Sequence, residues 1–420
     1  MQQLVSREVS AKTLIVAVDC GKVANRALLA SGERGVIGKP VSLSTLREGI
    51  AELERLIASA GGEGPPVIAL EATGSLHRAW ATELERRFHG SLRMFAPSET
   101  QAARTQLGSR RFKTDERDCA ALISLARQGL GRAPQDQSVE ALLSAVRHRR
   151  ALVTMRKGLQ QRLHDQLNAL APGLSAPSGH GRALKLEDPS GQAVLACAVA
   201  FQGRAPSDRS LIARAPGRFT RANAAFWAER WRGCLPAPVD AAQRAERLGW
   251  DLERWRALQR DILRTEAQLV QLLAATPGQV LTTLPGVATV RAAGFAAHSL
   301  PIERFASAEH LYSATGLAPA SYESGSLRKR GAISRQGLSE HRDALMGIAW
   351  GLSQHCASFR HRERQLRARG KRPIEARVAL ARCACRLCFA LLRTQQPFDE
   401  ERYAQARHGA GGDGANGYAA

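Results

Sequence analysis

Two short apolar segments that each end in an acidic residue constrain the fold of the N-terminal third most strongly. The first segment is Thr13–Asp19 and the second is Pro66–Glu71. A continuous apolar run of this length is typical of a buried strand, and the acid marks the point where the strand emerges at a turn. The sequence therefore predicts two buried strands of one sheet, each carrying a carboxylate at its end.

The residues around these strands complete an α/β pattern. A meander is predicted because Asn25–Ser31 and Gly35–Ser42 can form two more strands after the first one. Helices are predicted over Ser44–Ala60, from Gly74 through Phe88 and from Pro97 toward Arg104, with a short strand at Leu92–Phe95. This order predicts a mixed sheet with flanking helices.

A further acidic pair lies at the start of the next predicted helix. Thr114 is predicted to be the N-cap, so Asp115 and Asp118, three residues apart, project from one face. A helix N-terminus favours negative charge, so a solvated first turn would also explain the pair. Ligands of mixed α/β sheets bind where strand ends meet helix starts, and there the pair would converge with Asp19 and Glu71.

Four converging carboxylates predict a metal site. They repel one another unless a cation neutralises them, and hard oxygen ligands select Mg²⁺ or Mn²⁺. Two such ions about 4 Å apart can hold a phosphodiester for in-line displacement. A cluster of basic residues beside the acids is predicted to bind the polyanion, and it consists of Arg104, Arg110, Arg111 and Lys113.

The overall charge also points to a polyanionic partner. Lys and Arg number 60 against 38 Asp and Glu, which gives a net charge of +22. Because the basic residues are spread along the whole chain, nucleic acid is the expected partner, with an arginine-rich composition of no functional meaning as the alternative. Scattered cysteines, no apparent signal peptide and no apolar run of about 18 residues predict a soluble, cytoplasmic and nucleoid-associated protein without a membrane segment.

The acidic motifs resemble those of a known family. The Val-Asp start at Asp19, the Glu71-Ala72-Thr73-Gly74 motif and the run Lys113-Thr114-Asp115-Glu116-Arg117-Asp118 look like the acidic tetrad of the IS110-type transposases. The resemblance covers roughly residues 12 to 130. It implies a ribonuclease-H-like, RuvC-type fold and a catalytic tetrad of the four acids, with Cys20 standing where a small apolar residue is expected.

Two long helices are predicted in the middle of the chain. Ser138–Leu170 and Val239–Ala275 both carry apolar residues at three- and four-residue spacing. They could pair as an antiparallel hairpin or pair between subunits, and the basic residues on the first could be solvated or contact nucleic acid. Residues 171–238 receive no fold assignment, although their aromatic residues are expected in a core rather than in a base-stacking platform.

A turn after the second long helix has two interpretations. Leu281–Thr289 resembles a helix-hairpin-helix, in which backbone N–H groups at a glycine turn bind a phosphate. Ala288 stands in place of the usual second glycine. A plain turn between helices is therefore the alternative.

The C-terminal region also resembles the IS110-type transposases. The similarity runs from Tyr312 through the Ser324-Gly325 pair to Gly337. In that family the serine before the glycine is the nucleophile, so the resemblance implies Ser324, with Ser326 as the nearest competitor. By spacing alone a Ser-Gly pair is usually a turn. Basic residues that would stabilise charge on the phosphoryl oxygens are Arg328, Lys329, Arg330, Arg335 and Arg342.

The remaining C-terminal residues are predicted to be mainly helical. The cysteines of the Cys383-x-Cys385-x-x-Cys388 motif are expected to be buried small residues rather than zinc ligands, because no second ligand pair with matching spacing follows. The chain is predicted to begin with a catalytic domain that carries the four acids over 1–135. Long coiled-coil-like helices follow over 136–275, with an insert at 171–238. A mainly α transposase domain over 276–404 and a flexible tail over 405–420 complete the chain.

The resemblance implies a site-specific DNA recombinase. Ser324 would attack a DNA phosphodiester while Mg²⁺ held by the four acids polarises it. The substrates would be donor and target duplexes, and the enzyme would act as a dimer or tetramer. An element-encoded guide RNA would be a further partner. Two alternatives remain open from the residues. One is a RuvC-type nuclease that hydrolyses DNA without the serine, and the other is a non-catalytic basic nucleic-acid-binding protein with degenerate acids.

Overall fold

A computed structural model describes residues 9–32, 35–108, 114–175, 183–324 and 327–409, without the side chains of residues 321–331 and 406–409. The chain forms two compact units. One unit comprises Met1–Glu140 together with Ser299–Ala420, and the other comprises Ala141–His298. The boundaries predicted at 135 and 275 therefore differ from those of the second unit, which extends to His298.

A five-stranded mixed sheet forms the core of the N-terminal residues and confirms the predicted fold class. Its strands are β1 (Leu14–Asp19), β2 (Ala24–Ser31), β3 (Gly35–Ser44), β4 (Val67–Glu71) and β5 (Leu92–Phe95). They lie in the order β3-β2-β1-β4-β5. The pairs β3-β2 and β2-β1 are antiparallel, whereas β1-β4 and β4-β5 are parallel. The predicted bounds of these strands agree with the structure to within two residues.

Helices cover both faces of this sheet. They are α1 (Arg47–Ala60), α2 (Leu76–Arg87), α3 (Pro97–Gln106) and α4 (Asp115–Arg127). Val16 packs in one core with Leu53 of α1 and Leu84 of α2, whereas Ala17 packs in a second core with Leu122 of α4. Successive strand residues point to opposite faces, so each apolar strand supplies both cores at once. This is why these strands show no alternation of apolar and polar residues.

The two long helices pair with each other inside the chain. They are α5 (Gln137–Leu170) and α9 (Ala241–Ala274), each slightly shifted from its predicted bounds. Three polar pairs connect the two helices. The helices are antiparallel, because the residue numbers on α9 fall as those on α5 rise. These pairs are Arg149–Glu266, Arg156–Gln259 and Arg162–Asp251, with N–O distances of 2.8, 3.0 and 2.7 Å. Of the two predicted arrangements, the structure therefore has the intramolecular hairpin.

The unassigned region between the long helices is a small helical insert. It contains α6 (Pro189–Ala200), α7 (Asp208–Arg214) and α8 (Arg221–Arg232). Trp227 and Trp231 of α8 are buried in one core with Trp255 of α9. The indole N–H of Trp231 donates to the Gly203 carbonyl oxygen at 2.9 Å. The prediction that the aromatic residues of this region belong to a core is confirmed.

The turn predicted as a possible helix-hairpin-helix joins two helical segments in the structure. A 3₁₀ segment at Pro277–Thr283 precedes it, and α10 (Thr289–Ser299) follows. Pro285 disfavours a helical conformation of Leu284, which is extended and ends the 3₁₀ segment. The carbonyl oxygen of Gly286 in the turn accepts a hydrogen bond from the Arg291 guanidinium at 2.7 Å.

The C-terminal region is mostly helical, as predicted, with one β-hairpin. Its elements are α11 (Ala308–Ala314), β6 (Pro319–Ser324), β7 (Leu327–Ile333), α12 (Ser339–His355), α13 (Ala357–Ala368), α14 (Pro373–Thr394) and α15 (Glu400–Gly409). The predicted flexible tail is wrong for residues 405–409, because α15 continues to Gly409. Tyr403 anchors this helix by stacking on Phe359, with ring centroids 5.6 Å apart. Residues 410–420 lie outside the described residues.

The three clustered cysteines of α14 are buried thiols. Cys383, Cys385 and Cys388 lie in the core of the helix packing, and the Cys385 thiol donates to the Ala308 carbonyl oxygen at 3.7 Å. Throughout the described ranges, no helix combines the length and the apolar character that a membrane span requires.

Candidate active site

The sheet places the first two acids next to each other. Val18 of β1 and Leu70 of β4 are paired in parallel register, so the following residues, Asp19 and Glu71, end the two strands side by side. Neighbouring strands lie about 4.8 Å apart. By the alternation of side chains, both acids project to the face that also carries Ala17 and is covered by α4.

The first turn of α4 lies over the same end of β1 and carries the other two acids. Thr114 is the N-cap, as predicted, and its hydroxyl accepts a hydrogen bond from the backbone N–H of Arg117 at 3.3 Å. Asp115 and Asp118 lie in the first turn. The four acids are therefore contributed by two adjacent strand ends and one helix start.

Two contacts fix the direction of α4 over the sheet. The Cys119 thiol donates to the Arg26 carbonyl oxygen at 3.5 Å, whereas Arg127 donates to the Ser31 carbonyl oxygen at 2.8 Å. Arg26 pairs with Asp19 at one end of β1, and Ser31 lies across from the other end. The helix consequently runs antiparallel to β1, with its acidic first turn over the acidic end of the strand.

The buried thiols beside the acids report their electrostatic environment. Burial raises the pKa of Cys119 to about 12, and the negative charge of Asp19, followed by those of Asp118 and Asp115, adds to the effect. Burial also raises the pKa of Cys20 to about 12, with contributions from Asp19 and Glu71. Both shifts have the direction expected for thiols buried beside carboxylates.

Each of three acids has a partner that neutralises or orients it. Asp118, with 6% of its side chain exposed, forms an ion pair with Arg104 of α3, which is 17% exposed. These three contacts are Arg104 to Asp118, Arg26 Nε to Asp115 Oδ2 at 3.4 Å, and Thr73 Oγ1 to Glu71 Oε1 at 2.6 Å. Within the part of the chain that is described, no three Asp, Glu, His or Cys side chains are grouped closely enough to hold a metal ion.

The chemistry of the donor set nevertheless fits a hard divalent cation. The four carboxylates supply only oxygen atoms, which Mg²⁺ and Mn²⁺ prefer. The two arginines occupy carboxylate oxygens that would serve as ligands. Side-chain rotation away from Arg104 and Arg26 would therefore be required before the acids could share a cation.

The predicted nucleophile lies at the end of a strand. Ser324 is the last residue of β6 and pairs with Leu327, the first residue of β7. The two strands of this hairpin were not predicted from the sequence. The side chain of Ser324 and the competitor Ser326 lie outside the described residues.

The predicted basic contacts have different surroundings. The Arg342 guanidinium donates to the Thr315 carbonyl oxygen at 3.3 Å, and Arg335 is exposed with a left-handed backbone φ of 55°. Arg104 forms an ion pair with Asp118 in this structure. Six further predicted contacts, Arg110, Arg111, Lys113, Arg328, Lys329 and Arg330, have side chains outside the described residues.

Sequence reasoning missed two residues that contact the acids. Arg26 lies across from Asp19 in the β1-β2 pair, and Thr73 follows Glu71 by two residues. A register drawn for the predicted meander would have placed Arg26 beside the acid at the end of β1. For Thr73 the signal is its position in the same short motif as Glu71.

The sheet order and the position of the acids define a ribonuclease-H-like domain of the DEDD transposase class. A model of the IS110 DEDD domain, described as a transposase, matches residues 16–172. A second model, described as the transposase IS116/IS110/IS902 family, matches residues 278–367. Together they cover more than half of the chain, which belongs to the IS110 family of transposases. Membership of the DEDD class implies dependence on a divalent metal.

Two curated relatives are similar to part of the chain, and both are pilin gene-inverting proteins. The protein of Moraxella bovis is 29% identical over 146 residues, which cover 33% of this chain and 45% of the relative. The protein of Moraxella lacunata is 32% identical over 131 residues, which cover 31% of this chain and 38% of the relative. The chain thus matches less than half of the length of either relative.

Proposed function

We propose that this protein is a DNA recombinase that cuts and rejoins DNA strands through a phosphoserine intermediate. The observation that carries the proposal is the placement of Asp19 and Glu71 on adjacent parallel strand ends, under the helix turn that bears Asp115 and Asp118. The family membership and the name of the two relatives, which states gene inversion, support the same class of reaction.

The four acids form the metal site of this proposal. Mg²⁺ or Mn²⁺ held by their carboxylates would withdraw charge from the phosphoryl oxygens of the bound DNA. Arg104 and Arg26 neutralise Asp118 and Asp115 in the structure, and both release the carboxylates when the site is used. The freed guanidiniums then lie beside a phosphate, for which their planar donor groups are well suited.

Ser324 supplies the nucleophile. A bond forms between its Oγ and the phosphorus, one P–O bond of the DNA backbone breaks, the hydroxyl loses its proton and the released strand end takes one up. A hydroxyl of a second strand then attacks the phosphoserine and restores both the serine and a backbone phosphodiester. The sequence conserves bond energy and requires no nucleotide cofactor.

The partners of the reaction are donor and target DNA duplexes and a guide RNA. The net charge of +22 supports binding to polyanions of both kinds. The acids and Ser324 are far apart in the sequence, and a homo-oligomer, a dimer or a tetramer, would allow one subunit to supply the acids and another the serine. Co-purification of RNA, tested with nuclease treatment, and light scattering on DNA examine these two points.

A denaturing-gel assay for covalently attached DNA tests the chemistry. Full-length protein is incubated with Mg²⁺, RNA transcribed from the sequence flanking its gene and labelled junction DNA. The variants are Ser324→Ala and Asp115→Asn, with Ser326→Ala as the matched control two residues further along the sequence. We expect a protein-linked band with the unmodified protein and with Ser326→Ala, and none with the other two variants.

Other patterns overturn parts of the proposal. Cleavage without a linked band that survives in Ser324→Ala would establish the hydrolytic nuclease. A band that survives in Ser324→Ala but disappears in Ser326→Ala would move the nucleophile by two residues. Binding without cleavage under all metal conditions, unchanged in Asp115→Asn, would leave only the non-catalytic binding protein.

A further inference from the structure

The helix α13 presents a row of arginines that no catalytic step uses. Arg360, Arg364 and Arg367 are spaced by four and three residues, so they lie along one face, and all three are exposed. Phe359 and Leu366 fix a different face of the helix in the core. The row is therefore held on a packed helix and is directed outward.

The positive charge of this row exceeds the negative charge of the one acid on the same helix, Glu363. Arg360 donates to the Gln354 carbonyl oxygen at 2.7 Å, and Arg367 donates to the Lys371 carbonyl oxygen at 3.1 Å. Among the described residues, no carboxylate forms an ion pair with any of the three arginines. The nearby Arg372, by contrast, is paired with Glu375 at 2.6 Å.

Helix stability does not explain the row. Like charges three or four residues apart repel each other on a helix surface. Arg360 also lies in the first turn, where the positive end of the helix dipole disfavours a cation, and only Arg367 is placed where the dipole favours one. The repulsion among the arginines is relieved when an anion binds along the row.

We propose that this face of α13 binds the phosphate backbone of duplex DNA, an inference that rests on the proposed function. The Cα atoms of Arg360 and Arg367 are separated by about 10.5 Å along the helix, at 1.5 Å per residue. This equals roughly three base-pair steps of 3.4 Å. Guanidinium groups bind phosphate oxygens with two hydrogen bonds, so three of them follow a regular backbone.

Two features favour a duplex over a single strand. Single-strand binding sites combine basic residues with aromatic side chains on which bases stack. The aromatic residue of α13, Phe359, is buried and stacks on Tyr403 instead. Beyond the helix, the exposed Arg369 and Lys371 extend the basic face around a turn at Gly370. Contacts of this kind hold DNA without reading its sequence.

A charge-neutral triple variant tests the proposal. Arg360→Gln, Arg364→Gln and Arg367→Gln are combined in the full-length protein, and the affinity for a labelled DNA duplex is measured over a range of salt concentrations. Each lost phosphate contact reduces the slope of log affinity against log salt by about 0.9. We expect a slope shallower by about 2 to 3 and weaker binding at low salt, with equal loss on unrelated sequences.

A matched triple control removes the same charge elsewhere. The exposed arginines of α1 and α2 lie on helices that cover the sheet face opposite the acids, and the control variants are Arg47→Gln, Arg55→Gln and Arg86→Gln. This control should keep the unmodified slope, and thermal melts should show both triples folded. An unchanged slope in the α13 triple, or an equal change in the control, would refute the proposal.

Four further outcomes separate this inference from the proposed function. Loss of affinity for duplex RNA with undiminished affinity for duplex DNA would overturn the assignment of the partner. A loss of slope on DNA together with a linked band abolished by Ser324→Ala supports both proposals. If the unmodified protein forms the linked band and the α13 triple keeps its slope, the α13 surface alone is rejected. If the unmodified protein does not bind DNA, both proposals are rejected.

Discussion

Replacement of Arg104 by alanine tests how the acidic site is neutralised. The side chain of Asp118 is 6% exposed and that of Arg104 is 17% exposed, so the carboxylate loses its partner with little access to water. Removal of one member of a buried ion pair costs about 3–5 kcal/mol. Asp118 keeps further interactions, so we expect Arg104→Ala to lower the free energy of unfolding by about 3 kcal/mol in the presence of EDTA.

The same variant should respond more strongly to Mg²⁺. A ligand that binds only the folded state adds about 2.7 kcal/mol when its concentration is one hundred times its Kd. In the unmodified protein the guanidinium competes with the cation for Asp118, which raises the Kd and reduces this gain. Mg²⁺ should therefore return most of the stability that Arg104→Ala loses and add less to the unmodified protein.

Urea denaturation with EDTA and with Mg²⁺ measures both effects. Arg55→Ala is the control, because its side chain bonds to the Ala51 carbonyl oxygen of its own helix and the loss should stay within about 0.5 kcal/mol. In Arg104→Ala combined with Asp118→Asn, the total loss should be smaller than the sum of the single losses. An Arg104→Ala protein that is fully stable in EDTA, or equal stabilisation of all variants by Mg²⁺, would contradict this account.

Three other predictions concern the rest of the structure. Trp231→Ala should cost about 3–5 kcal/mol in urea denaturation because the side chain is buried, whereas Trp250→Ala, half exposed on α9, should cost far less. Glu400→Ala removes the carboxylate that accepts from the first N–H of α13 and should cost about 0.5–2 kcal/mol, seen as faster proteolysis at the C-terminus. Burial raises the pKa of Cys197 to about 11, so this thiol ionises at a lower pH in the unfolded chain than in the folded one. The free energy of unfolding should therefore fall from about pH 8.5 to 11, and it should fall less steeply in Cys197→Ala.

The local elements of the N-terminal domain were predictable from short stretches of sequence. The apolar runs that end at Asp19 and Glu71 predicted both strands, and Thr114 as the N-cap predicted the start of α4. Each signal depends on a few consecutive residues and on backbone chemistry that acts within one turn or one strand. The acidic residues themselves were found for the same reason.

Pairings between distant segments were not predictable in the same way. The sequence left open whether α5 and α9 pair within one chain, and the contacts of Arg149, Arg156 and Arg162 decided this. The β6-β7 hairpin was missed because its Gly, Ser and Arg content resembles that of a loop. Cross-strand pairing, rather than local preference, stabilises such a segment.

By itself, the sequence determined which residue types are present and where the strands and helices begin and end around the four acids. Only the tertiary structure decided that Arg104 and Arg26 neutralise two of those acids and that α13 presents an exposed basic row. The physical reason is that the energetic effect of a charged side chain depends on its surroundings. Burial and the distance to a partner depend on elements that are far apart in the chain and are fixed only when the elements pack.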